Sequence, residues 1–212
     1  NMNNTFKDNN LSELHREDFI KEVNGKKTDL FILSNKNGYE VAFTNYGGAI
    51  ASIMVPDKTG KVENVILGHD SVEHVINSPE PFLSTLIGRY GNRIRKGRFT
   101  LNDCDYTLAI NNAPNSLHGG PSGFHARVWD AERINAQSVK MRYVSEDGEE
   151  GFPGRLEMTV KYTFTDENEF IIEYEGMCNK PTVVNMTHHG FYNLHGIKNP
   201  SPTVTDFICT IN

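Results

Sequence analysis

The sequence predicts an all-β fold, a sandwich or barrel of antiparallel strands. Three observations point there. Residues 155–165 and 169–178 alternate apolar and polar side chains: Leu156, Met158, Val160, Tyr162 and Phe164 in the first stretch, Phe170, Ile172 and Tyr174 in the second. A period of two gives each strand one buried and one wet face, the habit of antiparallel sheets. Other short apolar runs are punctuated by Gly25, Asn37-Gly38, Gly47-Gly48 and Pro56, and Asn-Gly between two such runs is a hairpin signal. Helical periodicity is nearly absent, so the core must be built by sheet packing on sheet.

In chain order, residues 3–24 are polar. A short helix is expected over 11–23, capped by Ser12, laying Leu14, Phe19 and Ile20 against the body. Strands are expected at 30–33, 40–44, 49–55 and 62–67. Residues 71–87, with Pro79 and Pro81, read as a long loop with one turn of helix. Strands resume at 98–101 and 106–110, around a turn at Asn102-Asp103, then at 127–134 and 139–144, before the two alternating stretches. Residues 182–184, a β-branched run after Pro181, read as the start of another strand, and residues 207–212, FICTIN, as a strand broken off in progress. The expected organisation is a segment 1–24 followed by one β domain over 25–212, with no repeat or linker.

Composition narrows the functional classes. A chain of 212 residues can bury a sizeable core in one domain. A net charge of −6 argues against nucleic-acid binding. No run approaches the roughly 18 apolar residues of a membrane span. The N-terminus, NMNNTFKDNNLSEL, has no apolar core of a signal peptide, and Asn1 ahead of Met2 reads as a remnant of processing. Cys104, Cys178 and Cys209 are odd in number and lack metal spacing, so they read as reduced thiols and favour the cytoplasm, with the periplasm as the alternative.

Four stretches carry chemistry. Residues 181–196, PTVVNMTHHGFYNLHG, crowd Asn185, Thr187, His188, His189, Tyr192, Asn193 and His195 into a segment that begins like a strand. Neutral histidine gives or takes a proton near neutral pH, and asparagine orients a hydroxyl, so this reads as the wall of a proton-handling pocket. The competing reading is a strand end whose histidines are satisfied by backbone carbonyls. Residues 87–99, IGRYGNRIRKGRF, lack both phosphate-loop patterns. Asn92 and Arg93 can face a ring of hydroxyls while Arg95, Lys96 and Arg98 are solvated; a wholly solvated turn is the alternative. In 111–124, NNAPNSLHGGPSGF, His118 precedes two glycines that allow close approach of the backbone. Residues 147–154, DGEEGFPG, read as a charged surface turn ahead of a carboxylate pair, with Phe152 available to a groove. His118, His188, His189 and His195 show no zinc spacing, and the adjacent pair His188-His189 would face opposite sides of a strand, so no metal is expected.

Taken together, GRYGNRIRKGRFTLNDCDYTLAINNAPNSLHGG, GFHARVWD, DGEEGFPG and TVVNMTHHGFYNLHG, in this order, closely resemble the galactose mutarotase (aldose 1-epimerase) family, and NGYEVAFTNYGGAIASIMVPD resembles its N-terminal strands. The resemblance runs from about Phe19 onward and covers only the family's N-terminal part. It implies a large antiparallel β-sandwich, the mutarotase-like supersandwich, incomplete at its C-terminal end, with an open sugar cleft. It implies interconversion of the α and β anomers of a free aldose such as galactose or glucose, without cofactor, by a protein expected to be monomeric. By matching position, Asn92 and Arg93 are substrate-binding, His118 is the first active-site histidine and binds substrate, and His189 is the general acid. The family's general base, a glutamate, and a sugar-binding aspartate lie in a later segment and are not carried over. Where the family more often reads NxTNHSYFNL, this chain has NMTHHGFYNL, so His188, Gly190 and the order Phe191-Tyr192 depart from it. A non-catalytic sugar-binding module of the same fold and an epimerase acting on a phosphorylated sugar are the alternatives.

Overall fold

A computed structural model describes residue 4, residues 6–199 and residues 203–212. Asn3, which opens the expected polar segment, lies outside the described residues. The chain starts with a 3-10 turn, Arg16–Phe19, and a small hairpin of β1 (Glu22–Val23) and β2 (Lys26–Lys27). A meander follows: β3 (Leu30–Ser34), β4 (Glu40–Thr44), β5 (Ile50–Pro56) and β6 (Val62–Asn64), antiparallel and paired in that order. Helix α1 (Val72–Ile76) is capped by Ser71, whose hydroxyl accepts from the His74 amide at 3.1 Å. Short strands β7 (Leu86–Ile87), β8 (Arg93–Ile94), β9 (Arg98–Leu101), β10 (Cys104–Thr107) and β11 (Ser116–Leu117) lead to a second antiparallel sheet, β12 (Asp130–Asn135), β13 (Ser138–Ser145), β14 (Leu156–Phe164) and β15 (Phe170–Cys178). Finally β16 (Thr187–His188) returns to pair with β7.

The two four-stranded sheets share one core. Phe31, Leu33, Val41 and Phe43 from the first pack with Val139, Met141, Met158, Val160, Tyr162 and Phe164 from the second. Phe43 meets the ring of Tyr162 edge-on at 4.9 Å, and the Tyr162 hydroxyl donates to the Gly48 carbonyl at 2.8 Å, so the buried hydroxyl is satisfied while it ties sheet to loop. In β14 buried and half-buried residues alternate along its whole length, as the period of two predicts. β4 does not alternate, since all five residues are buried. Its second face, with Leu30, Ile32 and Ala51, is covered by Phe19, Val72, Val75 and Val128, which makes a second apolar cluster.

Three expectations for the elements are corrected. Residues 11–23 form no helix beyond the 3-10 turn. Glu13 sits at φ +60°, and the Asn10 side chain accepts from Ser12 Oγ at 2.6 Å and from the Leu14 amide at 3.3 Å, while the Leu11 amide donates to buried Glu40 at 2.7 Å. Side-chain acceptors thus take the donors a helix would have used, and Ser12 caps nothing. Residues 182–184 are not strand: Thr182 Oγ1 accepts from Arg89, and the first bridge of this segment is the parallel contact of Asn185 with Tyr90. Residues 207–212 are not strand either, and Ile208 and Ile211 are 95% and 89% exposed. Among the described residues β15 pairs only with β14 and forms an edge of its sheet. No helix among them is long and apolar enough to cross a membrane.

Candidate active site

Two small ladders bring the predicted residues to one place. β8 and β11 run antiparallel with Arg93 opposite Leu117, so Asn92 precedes one strand and His118 follows the other. The Asn92 amide donates to His118 Nδ1 at 2.9 Å, and the His118 amide donates to the Asn92 carbonyl at 3.0 Å. Both residues take left-handed backbone, φ +65° and +52°, a region where asparagine and histidine are among the better tolerated. The next residue explains the two glycines. A Cβ on Gly119, at φ +82°, would lie 1.9 Å from the Gly88 carbonyl oxygen. The LHGG loop therefore rests backbone-on-backbone against the arginine-rich loop.

A backbone amide must donate, so Nδ1 of His118 carries the lone pair and the neutral ring bears its proton on Nε2. Burial first, then the facing His189 and the Arg93 cation, hold the His118 imidazole below the ordinary histidine value, with Glu80 opposing. Next to it, Arg93 Nε donates to Asn112 Oδ1 at 2.9 Å and its Nη1 reaches Asn92 Oδ1 at 3.3 Å. The guanidinium is exposed, and two asparagines fix its fork while, among the described residues, its remaining donors meet no acceptor.

The second ladder delivers His189. β16 pairs with β7, Thr187 opposite Ile87 and His188 opposite Leu86. The pairing continues past the strand: the His189 amide donates to the Thr85 carbonyl and its carbonyl accepts from the Ser84 amide, both at 2.9 Å. The rings of His189 and His118 stand nearly perpendicular, centroids 5.0 Å apart. His188 points to the other side, as a strand requires: Nε2 lies 3.3 Å from the Ser84 carbonyl, and burial pushes its pKa down to about 4. His195 joins neither group and sits against Asp206 and Phe207. Among the described residues no group of three or more His, Cys, Asp or Glu could hold a metal ion.

Sequence reading missed three residues. Asn112 sits in a quoted motif, but its hold on Arg93 links β8 to the segment between β10 and β11. Phe82 comes from the long loop before β7, and its ring lies 4.9 Å from His118, 4.5 Å from His125 and 6.2 Å from His189. His125 is 3% exposed; burial first, then His118 and Arg127, push its pKa down to about 4. Only the GFH signal marked it, with no hint of its neighbours.

The DGEEGFPG turn is structural. Arg89, 2% exposed, donates to the carbonyls of Ser145, Glu146, Pro153 and Gly154 at 2.6–3.1 Å. Glu149 accepts from the Tyr143 hydroxyl at 2.8 Å and pairs with Arg127, while Asp147 accepts from the Gly154 amide at 2.6 Å. Phe152 is 1% exposed and lies in the core, so it lines no groove. A separate cavity of about 470 Å³, between residues 11–14 and strands β5 and β6, holds none of the predicted site residues.

Comparison with known proteins gives a consistent picture. The profile described as aldose 1-epimerase matches residues 29–206. The galactose mutarotase of Bos taurus is 40% identical over 171 residues, 81% of this chain and 48% of that protein. The aldose 1-epimerase of Escherichia coli K12 is 38% identical over 172 residues, 81% and 49% of the two chains. Among solved structures, an aldose epimerase homologue from C. elegans superposes with a TM-score of 0.74 at 30% identity, over 78% of this chain and 51% of the other. Galactose 1-epimerase from Lactobacillus acidophilus gives 0.72 at 27%, over 82% and 51%. The chain spans about half the length of the curated relatives it matches.

Proposed function

The chain belongs to the aldose 1-epimerase family, and from that premise we propose that it forms the sugar-binding, acid-side part of an enzyme interconverting the α and β anomers of a free aldose such as galactose or glucose. The observation that carries this reading is the perpendicular pair His118–His189, 5.0 Å apart, beside the Arg93 fork.

The chemistry asks for little more than placed proton donors and acceptors. A base takes the proton of the C1 hydroxyl, the C1–O bond to the ring oxygen breaks, and an acid protonates that oxygen. Rotation about C1–C2 presents the other face of the aldehyde, and the same steps reversed close the ring. In our assignment His189 protonates the ring oxygen. The Nε2–H of neutral His118 and the free guanidinium donors of Arg93, with Asn92 holding both, grip the ring oxygen side and adjoining hydroxyls. Each proton-transfer group supplies roughly 10²–10⁴-fold, and orientation supplies more. Glu149 and Glu150 are not assigned as the base. Glu149 is committed to Tyr143 and Arg127, and Glu150 is packed against Gly120. We assign the base to a carboxylate supplied by a later segment, as in the family the motifs resemble. The free thiols support a reducing, cytoplasmic setting for this activity.

The half-length match favours a second reading, in which these 212 residues bind sugar without turning it over. Polarimetry of freshly dissolved α-D-galactose separates the two. The comparison is between the 212-residue chain and a longer polypeptide in which the second half of the Bos taurus relative follows it. Acceleration by the longer polypeptide alone is the expected result. Acceleration by the shorter chain would overturn the assignment of the base, and sugar binding without acceleration by either would leave the binding module.

A further inference from the structure

The backbone of His189 is pinned on both sides by Thr85 and Ser84, yet among the described residues no hydrogen bond reaches its imidazole. His118 differs, since its Nδ1 is fixed by the Asn92 amide. An acid that must aim one N–H at a ring oxygen needs its ring held by something else. Aromatic faces are what the structure offers. Phe191 stacks on His189 at 5.2 Å and 22°, and Phe82 lies near-parallel to it at 6.2 Å and 27°.

We infer that Phe82 is a positioning residue: together with Phe191 it holds the His189 imidazole in the orientation that proton transfer to the sugar requires. The inference rests on the acid role given to His189 above. Phe82 is suited to this because it is itself braced. Its carbonyl accepts from the Thr85 amide at 3.3 Å and from Thr85 Oγ1 at 3.1 Å, and its amide reaches Glu80 Oε1 at 3.3 Å. Its ring leans on His125 at 4.5 Å. The same ring meets His118 edge-on, which couples the two imidazoles through one side chain.

Two measurements test this. The first is the carbon–proton spectrum of the 212-residue chain, which reads ring orientation with no reference to activity. The ring protons of His189 are expected to be displaced upfield by the two phenyl faces and to show cross-relaxation with Phe82. Phe82→Leu should abolish both signs, and Phe82→Tyr should keep the displacement. The second is steady-state kinetics of the longer polypeptide described above. Phe82→Leu should lower kcat by roughly 10–10²-fold with KM nearly unchanged, while Phe82→Tyr recovers most of the loss. Unchanged His189 signals in Phe82→Leu, or a loss confined to KM, would overturn the inference. Should Phe82→Leu fail to fold, Phe191→Leu removes the other stacked ring and carries the same expectations. A parent polypeptide without mutarotase activity would sink the functional reading alone, and the spectra would still decide whether the clamp exists.

Discussion

Asn92 and His118 exchange hydrogen bonds: the Asn92 amide donates to Nδ1 of His118 at 2.9 Å, and the His118 amide donates to the Asn92 carbonyl at 3.0 Å. A second proton on that imidazole would have to sit on Nδ1, facing an N–H that is already there. Geometry and burial therefore act together to keep His118 neutral and its Nε2–H turned outward.

The tautomer is directly measurable. Nitrogen-15 spectra of the 212-residue chain should show His118 Nδ1 unprotonated and Nε2 protonated at pH 7, with the cationic form appearing only below the ordinary histidine range. An Nδ1–H tautomer would contradict the exchange of bonds and remove the proposed donor to the sugar.

Stability should fall on mild acidification. The folded-state pKa of His125, about 4, lies below the unfolded value of about 6.5, so between these limits the unfolded chain binds more protons. The contribution is fully present above pH 6.5 and is lost as pH falls toward 4, amounting to about 3 kcal/mol for this residue. His188, also held near 4, adds in the same direction. Urea midpoints measured from pH 7 to pH 4.5 should decline steadily, and His125→Phe should flatten the decline. A midpoint independent of pH over that range would refute the burial argument.

Replacing His189 with Gln should cost the longer polypeptide roughly 10²–10⁴-fold in kcat, while galactose affinity by calorimetry changes little. Equal turnover in variant and parent would remove His189 from the mechanism.

Restoring the more usual serine at position 190 should destabilise this chain. A Cβ there would fall 2.3 Å from the Tyr192 ring and 3.0 Å from His188 Cε1. The expected cost is about 1 kcal/mol, since Tyr192 is half-exposed and can swing aside. Tyr192→Ala should erase most of it in a double-mutant cycle, because the Tyr192 ring is the nearest group that the added Cβ would meet. Additive effects of the two changes would show that they are independent.

What was legible in the chain follows from the range of the forces involved. β14 was readable because one face is wet, so its pattern is written locally. β4 carries no such alternation, because its second face is covered by Phe19 and α1, which only the tertiary fold brings there. The helix expected at 11–23 failed where Asn10, Ser12 and Glu40 compete for backbone donors. Asn92, Arg93, His118 and His189 were legible from their motifs and do converge. Phe82 and His125 act by ring contact across distant segments, and a phenylalanine after proline carries no mark of the histidines it will meet. Arg89 carries no local mark that sets it apart from the other cations of residues 87–99, and only its burial among carbonyls reveals it as the post on which DGEEGFPG hangs.

The pairing of β7 with β16 has a consequence for how the molecule assembles. His188 lies opposite Leu86, about a hundred residues away along the chain, so closing that ladder costs a long loop its freedom before any contact repays it. The meander β3–β6 and the hairpins of the second sheet close over far shorter spans. On refolding, the strand signal should return first and the perpendicular contact of His189 with His118 last, because His189 reaches its place only when β16 has found β7.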